Sequence, residues 1–242
     1  MAWRRISFLL LNLVLIAVMV KAGFWQLDRA AQKQAMINQN QQQARLGDTA
    51  LLWSLEAPQQ QAKWVALRGQ LNTEQVWLLD NKVHQGQVGY EVLLALTPEA
   101  AANQRILVNL GWIPAGADRE QWPDLSALGQ WQSMLNLTGQ VYSPSQPWLL
   151  NQDELQQAWP QRLQGLVMEP LVAFYAELGW QLSPVILRIS EDSQLGFIKQ
   201  WPIVVMTPAK HQGYAVQWFL MALASTGLFI WFYRRGGMYV KE

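Results

Sequence analysis

His211 stands at the mouth of an apolar run. From Tyr214 to Tyr233 twenty residues pass without a charge, and Arg234-Arg235 close the stretch. If one helix carries His211 into this run, Tyr214, Ala215, Trp218 and Ala222 share its face at i+3, i+4, i+7 and i+11. Trp218 then lies about 10 Å deeper than the imidazole. A nitrogen ligand above two aromatics and two small residues suits a flat apolar cofactor, ligated at the interface and stacked down the helix. Haem fits that description, because imidazole is a common axial ligand for it. The same residues also read as an interfacial histidine within an aromatic belt, and spacing does not choose between the two. A ligating ring must be neutral at the bound nitrogen, and its other nitrogen needs an acceptor.

Little other chemistry is legible. The 242 residues include two histidines and no cysteine, so thiolate metal sites, iron–sulfur clusters and disulfides are excluded, and no zinc site is expected. No phosphate loop, nucleophile elbow or H-E-x-x-H pair occurs. Asp80, Glu91, Asp153 and Glu154 are scattered and read as solvated groups. The chain is therefore not expected to be an enzyme. A net charge of +1 gives no electrostatic case for nucleic acid as a partner.

The elements that would carry such a site are membrane helices. Hydrophobic residues make up 51% of the chain and charged ones 14%. Residues 6–20, "ISFLLLNLVLIAVMV", extend by snorkelling of Lys21 to about Leu27, and a span needs about 20 residues. The rival reading is a signal peptide cleaved near Ala22. The second span covers 211–233, with Tyr214, Trp218 and Phe219 at one end and Trp231, Phe232 and Tyr233 at the other. Arg4-Arg5 and Arg234-Arg235 with Lys241 put both termini in the cytoplasm. After residue 27 the first helix continues, polar all round, to about 46.

Residues 48–208 change period. "WVALRGQL" (64–71), "QVWLLDN" (75–81), "YEVLLALT" (90–97), "RILVNLGWI" (105–113) and "MLNLTGQVY" (134–142) read as short strands. "DNKVHQGQVG" (80–89) reads as a turn-rich hairpin connection. "PLVAFYAEL" (170–178) reads as a helix, and "PVILRIS" (184–190) and "WPIVVMTP" (201–208) as strands. The expected fold is α+β: two transmembrane helices flanking an exported domain with an antiparallel curved sheet or small barrel.

Four stretches, in order, resemble the Surf1 family of cytochrome c oxidase assembly proteins. "GFWQLDRAAQK" matches through Gly23, Trp25, Gln26, Arg29 and Lys33. "LLDNKVHQGQVGYEVL" matches through Asp80, Asn81, Gly86, Gly89 and Tyr90, and "VNLGWIP" through Val108, Asn109, Gly111, Trp112 and Pro114. "HQGYAVQWFLMALA" matches through His211, Tyr214, Ala215, Gln217, Trp218 and Phe219. The resemblance implies an assembly factor in the bacterial inner membrane with a periplasmic domain. It implies haem a as cofactor, with His211 as candidate iron ligand. Tyr214 and Trp218 on the helix face below it are then candidate contacts, as is Arg29 at the first span's exit, which otherwise snorkels to the interface. Oxidase subunit I and other assembly factors are the implied partners. The alternative is a structural chaperone that binds no cofactor, with Ala222, Ala224, Ser225 and Gly227 as packing surfaces. Two residues depart from the family pattern: Leu110 where arginine is usual, and Lys210 where asparagine is common.

Overall fold

Alternation along the middle strands decides how the domain is built. In the computed structural model, which describes residues 2–43, 47–116, 118–145 and 154–236, Val76 and Leu78 enter one apolar cluster and Trp77 and Leu79 another. Val92 and Leu94 oppose Leu93 and Ala95 in the same way, as do Val185 and Leu187 against Ile186. Successive side chains of a strand point to opposite faces. Both faces of this sheet are covered, which is why its strands read as nearly continuous apolar runs.

The strands are β1 (Trp64–His84), β2 (Gln87–Pro98), β3 (Gln104–Pro114), β4 (Met134–Tyr142), β5 (Gln161–Leu163) and β6 (Gln181–Ile189). Their order is β2-β3-β6-β4-β1-β5, and β1 pairs with β2 as well. β1 serves both neighbours by dividing its length, 64–70 against β4 and 69–84 against β2. A register shift between Leu71 and Val76 joins the two expected strands into one. There the Asn72 side-chain oxygen accepts from the amides of Glu74 and Gln75, an extra loop of chain that bends the strand. The hairpin connection between β1 and β2 is tight, with Gln85 and Gly86 at φ 49 and 82, the positive values a two-residue turn requires.

Two expectations are corrected. β3–β6 and β1–β5 pair in parallel, so the sheet is mixed rather than antiparallel. Parallel partners need a crossover, and helix α2 (Met168–Glu177) lies in the chain just before β6, with Leu171, Phe174 and Tyr175 packed into the second cluster. Nor is the sheet a closed barrel: β1 beyond Leu79 has β2 as its one strand partner among the described residues. "WPIVVMTP" is not a strand. None of the strand pairings among the described residues includes it, and Ile203 and Val205 are exposed.

Contacts divide the chain into Gln41–Trp201, which holds the sheet, and a unit made of Met1–Asn40 with Pro202–Glu242. The second unit consists of α1 (Ala2–Gln43, apart from its last turn) and α3 (Pro208–Gly236). The expected end of the first helix near 46 and the residues Asp153 and Lys241 lie outside the described residues. The most apolar 18-residue windows of Ile6–Gln41 and Pro208–Arg234 have mean hydropathy 2.2 and 1.6 and are only 6% and 11% buried. A core helix of a soluble protein would be mostly covered. These two helices are long and apolar enough to cross a membrane.

Candidate functional site: the helix pair around His211

The inward positions of α1 recur every three and four residues. Asn12, Ile16, Met19, Gly23, Gln26 and Ala30 are covered or half-covered along one such row. In α3 the same rhythm selects His211, Ala215, Trp218 and Ala222. This is the spacing by which two helices present matching stripes.

Gly23 and Phe219 form one contact. A Cβ at Gly23 would lie 2.6 Å from Phe219 Cε1, so the missing side chain is what admits the ring. Phe24 meets the same ring edge-on at 5.3 Å between centroids. One turn further along α1, Gln26 Oε1 lies 2.7 Å from His211 Nδ1. An amide oxygen only accepts, so this pairing requires Nδ1 to carry the proton and donate it. Gln26 thereby orients the His211 ring through Nδ1, and in the neutral tautomer that donates there Nε2 is the nitrogen a metal would take. The ring is 8% exposed.

The other expected site residues are placed as follows. Ala215 and Ala222 are buried with His211, and Trp218 is half-covered, whereas Tyr214 is 45% exposed and Gln217 is exposed. The stripe is therefore split: its small residues pack and Tyr214 faces outward. Arg29 is exposed. Its Nη1 donates to Gln32 Oε1 at 2.9 Å, and its guanidinium lies 5.5 Å from the Trp25 ring. Arg29 is joined to its own helix rather than to His211.

The remaining motif residues belong to the sheet and do structural work there. Gly89 lets β2 approach β3 so closely that a Cβ would overlap the Ile113 carbonyl and the Trp112 ring. Gly111 has φ 110 with the Ile198 carbonyl 2.7 Å from its absent Cβ. Trp112 Nε1 donates to the Lys82 carbonyl at 2.9 Å. Asn109 donates to Glu91 Oε2 at 2.7 Å and accepts from the Gly111 amide at 3.1 Å. Asn81, at φ 57, sits in the second register shift of β1, between Leu79 and Lys82. Tyr90 is buried at 1% exposure, and Leu110 at 0% lies in the first apolar cluster.

Sequence spacing did not bring Gln26 to His211, since 185 positions separate them. The available signal was one glutamine between apolar neighbours at the exit of the first span. Arg188 was also passed over, although it is the one charge inside "PVILRIS".

The chain matches the SURF1 family over residues 13–223. It belongs to the SURF1 family. The match takes in most of α1, the first part of α3 and the whole sheet, and the order of the four motifs agrees with it. Membership implies a role in cytochrome oxidase assembly for this two-helix membrane protein. No curated protein gives a significant match to the chain.

Proposed function

We propose that this SURF1 protein holds haem a for the maturation of oxidase subunit I, with His211 Nε2 as axial ligand to the iron. The observation that carries the reading is the Gln26–His211 hydrogen bond of 2.7 Å. It orients the imidazole through Nδ1 and leaves Nε2 as the nitrogen for the iron, and outer partners of this kind orient ligating histidines and raise their basicity. Haem a, when bound, supplies the iron and an apolar macrocycle with a long isoprenoid tail. The tail favours lipid and the propionates favour water, so a ligand at the lip of a span serves both. Gln26 accepts from Nδ1, half-covered Trp218 offers aromatic surface two turns further along the same face of α3, and no turnover is involved. The arginine pairs at 4–5 and 234–235 support cytoplasmic termini and a periplasmic sheet domain.

The burial of His211 favours a second reading. Polar side chains that hydrogen-bond between membrane helices also act as packing contacts, and a ring at 8% exposure fits a cofactor-free structural chaperone of the immature subunit. The two separate on one experiment. The full-length protein, purified in detergent from cells that make haem a, should show a visible haem spectrum under the first reading and none under the second.

A further inference from the structure

Among the described residues Arg188 is a buried cation of the sheet domain that takes part in no ion pair. Its guanidinium is stacked on Tyr142, 3.5 Å from the ring centroid, and lies 5.3 Å from that of Trp201. Its Nε is buried without a hydrogen-bond partner. Among the described residues the ion pairs are Arg68–Glu99, Lys82–Glu91 and Arg119–Asp80, and Arg188 is in none of them. Burial pulls its pKa down, and Tyr142 and Glu91 oppose that only in part. Burying a charge without a partner is costly.

The side chain lines a cavity of about 270 Å³ together with Asn81, Lys82, Glu91, Asn109 and Ser145. The two acids at this cavity are already committed. Asp80 Oδ1 lies 2.6 Å from Arg119 Nη2. Glu91 takes Lys82 at 3.7 Å on one oxygen and Asn109 at 2.7 Å on the other. Arg188 therefore remains, its plane fixed by Tyr142, facing a polar space large enough for several heavy atoms.

We propose that this cavity binds a carboxylate, received by the Arg188 guanidinium, with Asn81 and Ser145 as neutral partners at its wall. A guanidinium in a fixed plane matches a planar carboxylate through two parallel hydrogen bonds. The nearby Asp80 and Glu91 disfavour a dianion such as phosphate, because like charges add repulsion in a partly desolvated space. The carboxylate has two possible sources, a small free acid or the chain end of a polypeptide. This site is independent of the haem reading and does not involve His211.

Saturation-transfer NMR on the full-length protein in detergent tests it, with sodium propionate, N-acetyl-glycyl-alanine and the C-terminal amide of that dipeptide as separate probes. Propionate and the dipeptide acid should both receive saturation, and the amide should not. Arg188→Lys should weaken binding by about tenfold, the worth of one charge-assisted hydrogen bond, and Arg188→Gln should abolish it. A dipeptide acid that binds about tenfold tighter than propionate, by the same measure, assigns the site to a polypeptide chain end. Equal binding assigns it to small acids. If Arg188→Gln fails to fold, Arg188→Lys and the acid-against-amide comparison on the wild type still decide. Absence of transfer to both acids, equal binding of acid and amide, or wild-type affinity in Arg188→Lys overturns the proposal.

Discussion

Gln26 Oε1 and His211 Nδ1 lie 2.7 Å apart although 185 positions separate them in the chain. The bond joins the exit of the first apolar helix to the entrance of the second. It makes Gln26 a positioning residue for the imidazole. Under the haem reading, Gln26→Leu should lower haem affinity by about 10- to 100-fold, the usual effect of removing an outer partner of a ligating histidine. Gln26→Glu keeps an acceptor and makes the ring more basic, so it should retain haem while shifting the iron's reduction potential downward. Potentiometry of both variants checks this. Equal potentials in Gln26→Glu and wild type would show that Gln26 does not act through His211.

Gly89 tests the sheet. The Ile113 carbonyl that blocks a Cβ there is backbone, so no rotamer change relieves Gly89→Ala. The substitution should cost about 3 kcal/mol or more, as overpacking that must move a strand. Gly129→Ala, with nothing within 4 Å of the new Cβ, should stay within about 0.5 kcal/mol of wild type. Thermal unfolding followed by tryptophan fluorescence compares the two. A Gly89→Ala protein as stable as Gly129→Ala would mean that β2 and β3 are not this close.

Tyr175 gives the sheet domain a dependence on alkaline pH. The residue is fully buried and accepts from Trp77 Nε1 at 3.0 Å. Burial pushes its pKa from 10.0 up to about 12, against smaller lowering by Trp77 and Arg105. The folded state favours the neutral phenol, so this contribution is whole below pH 10 and is lost as pH rises through 12. It amounts to roughly 2 to 3 kcal/mol. The urea midpoint of the wild type should fall across that window by more than that of Tyr175→Phe. Parallel curves for the two proteins would contradict it.

Topology follows from charge. A reporter active only outside the cytoplasm should be active when inserted at Gln60 and silent when fused after Glu242. Activity at both positions, or at neither, would exclude a pair of spans with cytoplasmic ends.

Local pattern made much of this legible. Apolar runs of strand length, a Gln-Gly turn and an uncharged twenty-residue stretch each reflect forces acting within a few residues. β4 spans Met134–Tyr142, the same residues as its sequence pattern. The errors arose where distant segments decide. "WPIVVMTP" has strand composition, yet among the described residues no strand of the sheet pairs with it. β5 is three residues long and exists through its parallel pairing with Trp77, Leu78 and Leu79. At the candidate site, the i+3 and i+4 rule found the face of α3, but it could not say that Tyr214 turns outward or that Gln26 caps His211. That required the partner helix. Arg29, expected near the ligand, instead lies against Trp25 and Gln32 of its own helix.

The central claim is that His211 ligates haem a. His84 is the internal control, since its ring lies 5.1 Å from that of Trp112 in the sheet domain. His211→Ala and His84→Ala should be purified at full length from membranes of cells that make haem a, at matched protein levels, and their visible spectra compared with the wild type. The account predicts that His211→Ala loses the co-purifying haem a while His84→Ala keeps it. Wild-type haem a content in His211→Ala would contradict the ligand assignment and leave the cofactor-free chaperone.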